Sequence, residues 1–154
     1  MTDVWREVDE AELAACAERL APVVREGGII HLTGDLGAGK TTFARALLRA
    51  LGVGERIKSP TYSLIESYRL GALDIHHLDL YRIADASELE WLGISELADA
   101  AALTLIEWPE RGAGALPKPD LVIRLRHAGM RRQMVTEAFT ERGRSWLEHR
   151  VCQQ

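Results

Sequence analysis

Residues 34–48 read GDLGAGKTTFARALL, and no other stretch limits so sharply what the chain can fold into. Gly34, Gly39, Lys40 and Thr41 meet the spacing G-x-x-x-x-G-K-[ST], a pattern that carries meaning only between a strand and a helix. Both neighbours are legible. Residues 29–34 (IIHLTG) form a short apolar run of strand length, and residues 40–52 repeat apolar side chains at helical spacing until Gly52. Gly34, Gly37 and Gly39 permit a backbone wrapped tightly enough to turn its N–H groups inward, and these join the helix N-terminus in holding anionic phosphates. The expected binding stretch therefore runs through Gly34, Asp35, Leu36, Gly37, Ala38, Gly39, Lys40, Thr41 and Thr42. Within it, Lys40 reaches the β- and γ-phosphates and the Thr41 hydroxyl takes Mg²⁺. A chance glycine turn would leave Lys40 solvated, and the strand–loop–helix setting argues against that.

Strands and helices alternate around this centre. Residues 4–8 (VWREV) alternate as a first strand, and Asp9 with Glu12 makes a capping-box arrangement. Leu13, Cys16, Ala17, Leu20, Val23 and Val24 follow at helical spacing, closed by Gly27 and Gly28. After the loop helix come a strand through Tyr68, a strand over 73–81 and a broken helix pair capped by Asp85 around Gly93. A buried strand over 101–108, a loop over 109–120, a hairpin turning at 128–130 and a last helix capped by Thr140 complete the order. The expectation is an α/β fold of P-loop NTPase type. It has a mainly parallel central sheet flanked by helices and a C-terminal hairpin, with residues 1–154 in one domain.

Composition narrows the functions. The chain has 154 residues, 47% of them hydrophobic, enough for one real core. A formal charge of -4 disfavours nucleic-acid binding through a broadly basic surface. No apolar run reaches membrane-spanning length, and the first residues lack the basic-then-apolar order of a signal peptide. Cys16 and Cys152 have no companions at metal-ligand spacing. A cytoplasmic chain with idle thiols is the expectation.

A phosphate-loop enzyme needs a carboxylate at a strand end, and two qualify. Asp79 closes DIHHLD and Glu107 closes LTLIE, so each emerges at the carboxyl edge where open α/β sheets bind ligands. Either acid can instead cap the turn that follows. Ser59-Pro60-Thr61 offers hydroxyls around a rigid proline: a plain turn into a strand, or a threonine sensing the γ-phosphate. His76 and His77, adjacent in a strand, face opposite ways and make no paired metal site. Trp108 walls the site or simply packs. Arg124, Arg126, Arg131 and Arg132 read by default as solvated strand faces. PKPD (117–120) matches the guanine reader N-K-x-D only at Lys118 and Asp120, and DLYR (79–82) puts Arg82 where a GTPase switch needs glycine. Both absences favour ATP over GTP.

Taken together, GDLGAGKTTF, KSPTYSL, HLDLYR with ELEWLGI, IEWPERG and LP form an ordered set from Gly34 to Pro117. The set resembles the bacterial TsaE (formerly YjeE) family, the ATPase of tRNA threonylcarbamoyladenosine biosynthesis. The resemblance implies ATP and Mg²⁺ binding and weak hydrolysis by the isolated chain. It also implies association with TsaD and TsaB, which transfer threonylcarbamoyl onto the adenosine 3′ of the anticodon, so that tRNA is engaged indirectly. By motif match, Lys40 and Thr41 take the phosphate and metal roles, Thr61 the switch-like threonine, Asp79 the Walker-B-like acid, and Glu107 a Mg²⁺ ligand with Trp108 beside it. Leu78 stands where family members often carry an aromatic residue, a difference in packing. A small-molecule P-loop kinase and a non-hydrolysing nucleotide-gated module are the alternatives; no arginine-bearing lid or acceptor pocket is legible for the kinase.

Overall fold

A computed structural model of the chain describes residues 5–54, 57, 64–91, 93, 94 and 101–148. Val4, the Ser59-Pro60-Thr61 turn, the broken helix pair from residue 95 on and Cys152 lie outside the described residues. The expectation for Thr61 lies there too.

The described elements run β1 (Arg6–Val8), α1 (Glu10–Leu20), β2 (Gly28–Gly34), α2 (Lys40–Leu51), β3 (Ile65–Leu70), β4 (Leu73–Asp79), α3 (Glu88–Trp91), β5 (Leu103–Glu107), β6 (Leu121–Ala128), β7 (Arg131–Ala138) and α4 (Glu141–Glu148). They form a seven-stranded sheet in the order β1-β7-β6-β2-β5-β4-β3. Its four central strands, β6, β2, β5 and β4, are mutually parallel, while β3, β7 and β1 pair antiparallel at the two margins. The expected class is the one observed, including the C-terminal β6–β7 hairpin.

Local chemistry explains the element ends. Asp9 caps α1, its side chain accepting from the Glu12 N–H at 2.7 Å while the Glu12 carboxylate accepts from the Asp9 N–H. The helix stops at Leu20, short of the apolar pattern, and a 3-10 turn follows over Ala21–Val23. Pro22 is the reason: it has no N–H to give the preceding turn, and its ring clashes with that turn's carbonyl. β4 ends two residues earlier than expected because the Asp79 side chain accepts from the Tyr81 N–H at 3.0 Å, turning the chain. The 109–112 stretch, expected as loop, is a short 3-10 turn.

Two apolar layers sandwich the sheet. On one face Ile30, Leu32, Ile75, Leu103 and Leu105 pack under α1 and α2, whose Leu13, Leu20, Phe43, Leu47 and Leu48 are fully buried. Each such side chain contributes about 2 kcal/mol of transfer free energy. On the other face Leu78 and Ile106 sit beneath Leu80, Ile83, Leu89 and Ile94. Leu78 thus lies in the packed second layer. Among the described residues, no helix is long and apolar enough to cross a membrane.

Candidate functional site

β2 delivers the chain to the phosphate loop at the centre of the carboxyl edge. Two glycines are obligatory there. Gly34 has φ 142°, and a Cβ on it would stand 2.1 Å from the Leu125 carbonyl oxygen of neighbouring β6. Gly39, at φ 111°, occupies the N-cap of α2 with Arg132 and Leu13 packed behind it. Between them the Ala38 N–H returns to the Asp35 carbonyl, the Ala38 side chain enters the core, and Leu36 projects 66% exposed at the tip.

Lys40 is buried and curls back into the loop. Its Nζ donates to the carbonyls of Gly34 at 2.6 Å and Asp35 at 2.8 Å, and lies 4.2 Å from the centre of the Trp108 ring. Burial pushes the Lys40 pKa down, against the opposing pull of Glu107, Glu110, Asp79 and Asp35. At the next position of α2, the Thr41 hydroxyl donates to Glu107 Oε1 at 2.7 Å. Asp79 and Glu107 are register partners on parallel β4 and β5, so both acids reach the same edge beside the loop. Burial raises the Asp79 pKa; the Tyr81 N–H works against that shift and the Glu107 charge adds to it. A cleft of about 170 Å³ is lined by Gly39, Lys40, Thr41, Asp79, Glu107 and Trp108, with Leu36, Gly37 and Thr42 also at its walls. The structure therefore brings together the loop, both acids and the tryptophan.

Trp108 is the one non-glycine among the described residues with positive φ, at 58°. Such a conformation costs roughly 1–3 kcal/mol and is held by its surroundings. Here the indole lies against the Tyr81 ring, centroids 4.9 Å apart, with the Arg111 guanidinium 5.3 Å from Tyr81 and 5.9 Å from Trp108. Sequence reasoning missed Tyr81 and Arg111. Their spacing from Asp79 and Glu107 was the available signal, but only the fold shows the three side chains stacked.

Three of the C-terminal arginines stay at least partly solvated and also make specific contacts. Arg124 pairs with Glu137 at 2.7 Å, Arg131 with Glu12 at 2.8 Å, and Arg126 bonds Gln133 while lying 3.9 Å over the Trp5 ring. They tie the hairpin together, Arg126 to its direct register partner Gln133 and Arg124 diagonally to Glu137, while Arg131 ties it to α1. His127, also missed, bonds the Leu36 carbonyl of the phosphate loop at 3.2 Å. PKPD is a coincidence in space as well: Asp120 binds the Ile29 N–H at the opposite end of β2 from the loop.

A glycine loop between β2 and α2, two acids on adjacent parallel strands and a threonine bonded to one of them define a P-loop NTPase-type domain. Comparison with known proteins narrows this. The model of the family described as Threonylcarbamoyl adenosine biosynthesis protein TsaE matches residues 8–134. A tRNA threonylcarbamoyladenosine biosynthesis protein TsaE from Haemophilus influenzae is 41% identical over 117 residues, 76% of this chain and 74% of that protein. The protein of the same description from Bacillus subtilis is 38% identical over 125 residues, 81% and 78% of the two chains. The crystal structure of Bacillus subtilis YdiB superposes with a TM-score of 0.77 at 30% identity, covering 96% of this chain and 94% of that one. The chain belongs to the TsaE family.

Proposed function

We propose that this chain is the ATP-hydrolysing subunit of tRNA threonylcarbamoyladenosine biosynthesis. It works in the cytoplasm as one domain over residues 1–154, with TsaD and TsaB and with tRNA engaged indirectly. The observation that supports the reading is the Thr41–Glu107 hydrogen bond beside the curled Lys40, which brings a hydroxyl, a carboxylate and an ammonium of this kind together at the loop.

The donor chemistry suits Mg²⁺. Among the described residues no cluster of three or more His, Cys, Asp or Glu could cage a metal. The hard oxygens of Thr41 and Glu107 instead fit an ion that takes one or two protein ligands and completes its shell with phosphate oxygens and water. Bound there, Mg²⁺ would supply charge neutralisation at the β- and γ-phosphates.

The chain's own groups do the rest. Lys40 leaves the Gly34 and Asp35 carbonyls for the phosphate oxygens, where ammonium and anion gain more than ammonium and neutral carbonyl. The N–H groups of Gly34–Thr42 hold the phosphates in line with the α2 terminus. With Glu107 engaged by Thr41, Asp79 is the carboxylate left at the cleft to orient water, and Thr61 is the γ-phosphate sensor. The indole of Trp108 limits access of bulk water. Adenine is favoured over guanine because the only partial guanine reader is locked at the far edge of the sheet.

The test is phosphate release from Mg·ATP by the purified chain, alone and with TsaD, TsaB and substrate tRNA, using Lys40→Ala as blank. Basal turnover far below the ~10 s⁻¹ of ordinary enzymes, rising with the partners, is the expected result. No release in either condition, or transfer of the γ-phosphate to a metabolite, would overturn it.

A further inference from the structure

His77 has no part in phosphate-loop chemistry as the motif defines it, yet it is fully buried where the apolar face of β4 gives way to Asp79. Along β4, Ile75, His77 and Asp79 share a face, as do Leu103, Leu105 and Glu107 along β5. The first members of each set lie in the core beneath α2. The last members reach the cleft. His77 stands between, register partner of Leu105 and one pleat below Asp79, and its ring leans across to the neighbouring strand. There Nε2 meets Glu107 Oε2 at 2.6 Å, while Oε1 of the same carboxylate holds Thr41 at 2.7 Å. Glu107 is itself 1% exposed. Both of its oxygens are therefore committed, one to each side.

We infer that His77 is a positioning residue for the metal–nucleotide site: by holding Oε2 it fixes the Glu107 carboxylate so that Oε1 alone faces Thr41 and the ion. This rests on the proposal that Glu107 is a Mg²⁺ ligand. An ionised carboxylate can only accept, so the Nε2 nitrogen carries the proton and donates. The ring's other nitrogen, Nδ1, is buried and finds no hydrogen-bond partner among the described residues. A histidine retained in the core with one nitrogen unsatisfied is costly, and the bond to Glu107 is what that placement provides. Without it, a buried carboxylate at a strand end would be free to rotate about its last torsion and present either oxygen or both. The octahedral shell of Mg²⁺ tolerates such looseness poorly.

Two substitutions separate positioning from packing. In His77→Gln the amide nitrogen lies the same number of bonds from the backbone as Nε2 and can still donate to Oε2. In His77→Asn the amide is one bond short. Calorimetric titration of each folded variant with ATP in EDTA and then in Mg²⁺ gives the affinity gained from the metal. Expected are a gain close to wild type in His77→Gln and a loss of about tenfold in His77→Asn, with metal-free affinity within about twofold in both. Equal metal gain in both variants, or loss of metal-free and metal-bound affinity together, would overturn the inference and leave the Glu107 assignment standing. A wild-type chain that binds ATP equally with and without Mg²⁺ would overturn both. Side-chain ¹⁵N spectra of the wild type provide a measurement that needs no variant to fold. A hydrogen-bonded Nε2–H tautomer, perturbed by Mg²⁺ with nucleotide but not by nucleotide alone, supports the inference, and an Nδ1–H tautomer overturns it.

Discussion

The two ends of β2 are built on opposite terms. At its amino end, Asp120 accepts from the Ile29 N–H at 2.8 Å and from the Thr140 hydroxyl at 2.6 Å, and its backbone N–H donates to the Ile29 carbonyl at 2.8 Å. Thr140 in turn accepts from the Gly143 N–H at 3.0 Å, and the Trp146 ring presses on Gly28. At the carboxyl end Lys40 bonds its own loop's carbonyls and Thr41 bonds Glu107. Those bonds are the ones an incoming phosphate and metal would replace. One end of β2 is closed by bonds to Asp120; the loop at its other end leads to Lys40 and Thr41, whose bonds the proposed ligands would exchange.

The sharpest way to break the locked end is Gly143→Ala. A Cβ there would stand 1.9 Å from the Asp120 carbonyl oxygen, backbone against backbone. Urea denaturation should show a loss of about 3 kcal/mol, the upper range for overpacking, with unchanged ATP affinity per folded molecule. A loss below about 1 kcal/mol would mean that the amino end is not a lock.

Lys40→Ala should do the reverse. Removing a charged donor from the phosphates weakens ATP binding by about 2 kcal/mol, on the order of thirtyfold, while the denaturation midpoint barely moves. If stability falls as far as binding does, the resting bonds to Gly34 and Asp35 are structural and the contrast between the two ends dissolves.

His31 probes the span between them. Burial pushes its pKa from 6.5 to about 4. The unfolded chain therefore takes up this proton near pH 6.5 and the folded chain only near pH 4. The contribution to stability is complete above the first value and shrinks as pH falls toward the second. By pH 5 the loss is about 2 kcal/mol. Denaturation midpoints followed from about pH 7 to 4 should decline more steeply in the wild type than in His31→Gln. Parallel curves would show that His31 does not titrate across folding. The smallest effect is expected of Lys118→Ala: ATP affinity and the preference over GTP should each change less than about twofold, because PKPD belongs to the anchored end. A drop in base discrimination would return Lys118 to the nucleotide.

Much of this division was legible beforehand. The glycine loop, its flanking elements and the α1 capping box are written in local spacing, where backbone sterics and short-range hydrogen bonds decide. The two acids were legible as strand-end positions, although a turn-capping role read equally well, and Asp79 fills one by accepting from the Tyr81 N–H. The end of α1 was misjudged because hydrophobic period outweighed Pro22, and the arginines' contacts were not legible because their partners lie on other elements. Family motifs named Glu107, while nothing local distinguished the histidine that reaches it from the one beside it that bonds Ser67.

By itself, then, the sequence determined the phosphate loop, the α/β class and the family resemblance: short local motifs, and the order in which they follow one another along the chain. Tertiary structure alone decided that Thr41 and His77 meet on one carboxylate, that Trp108 lies between Lys40 and Tyr81, and that Asp120 serves the far edge. Those pairings depend on strand order and register: a slip of one residue in β4 or β5 would turn His77 or Glu107 to the other face of the sheet and part them.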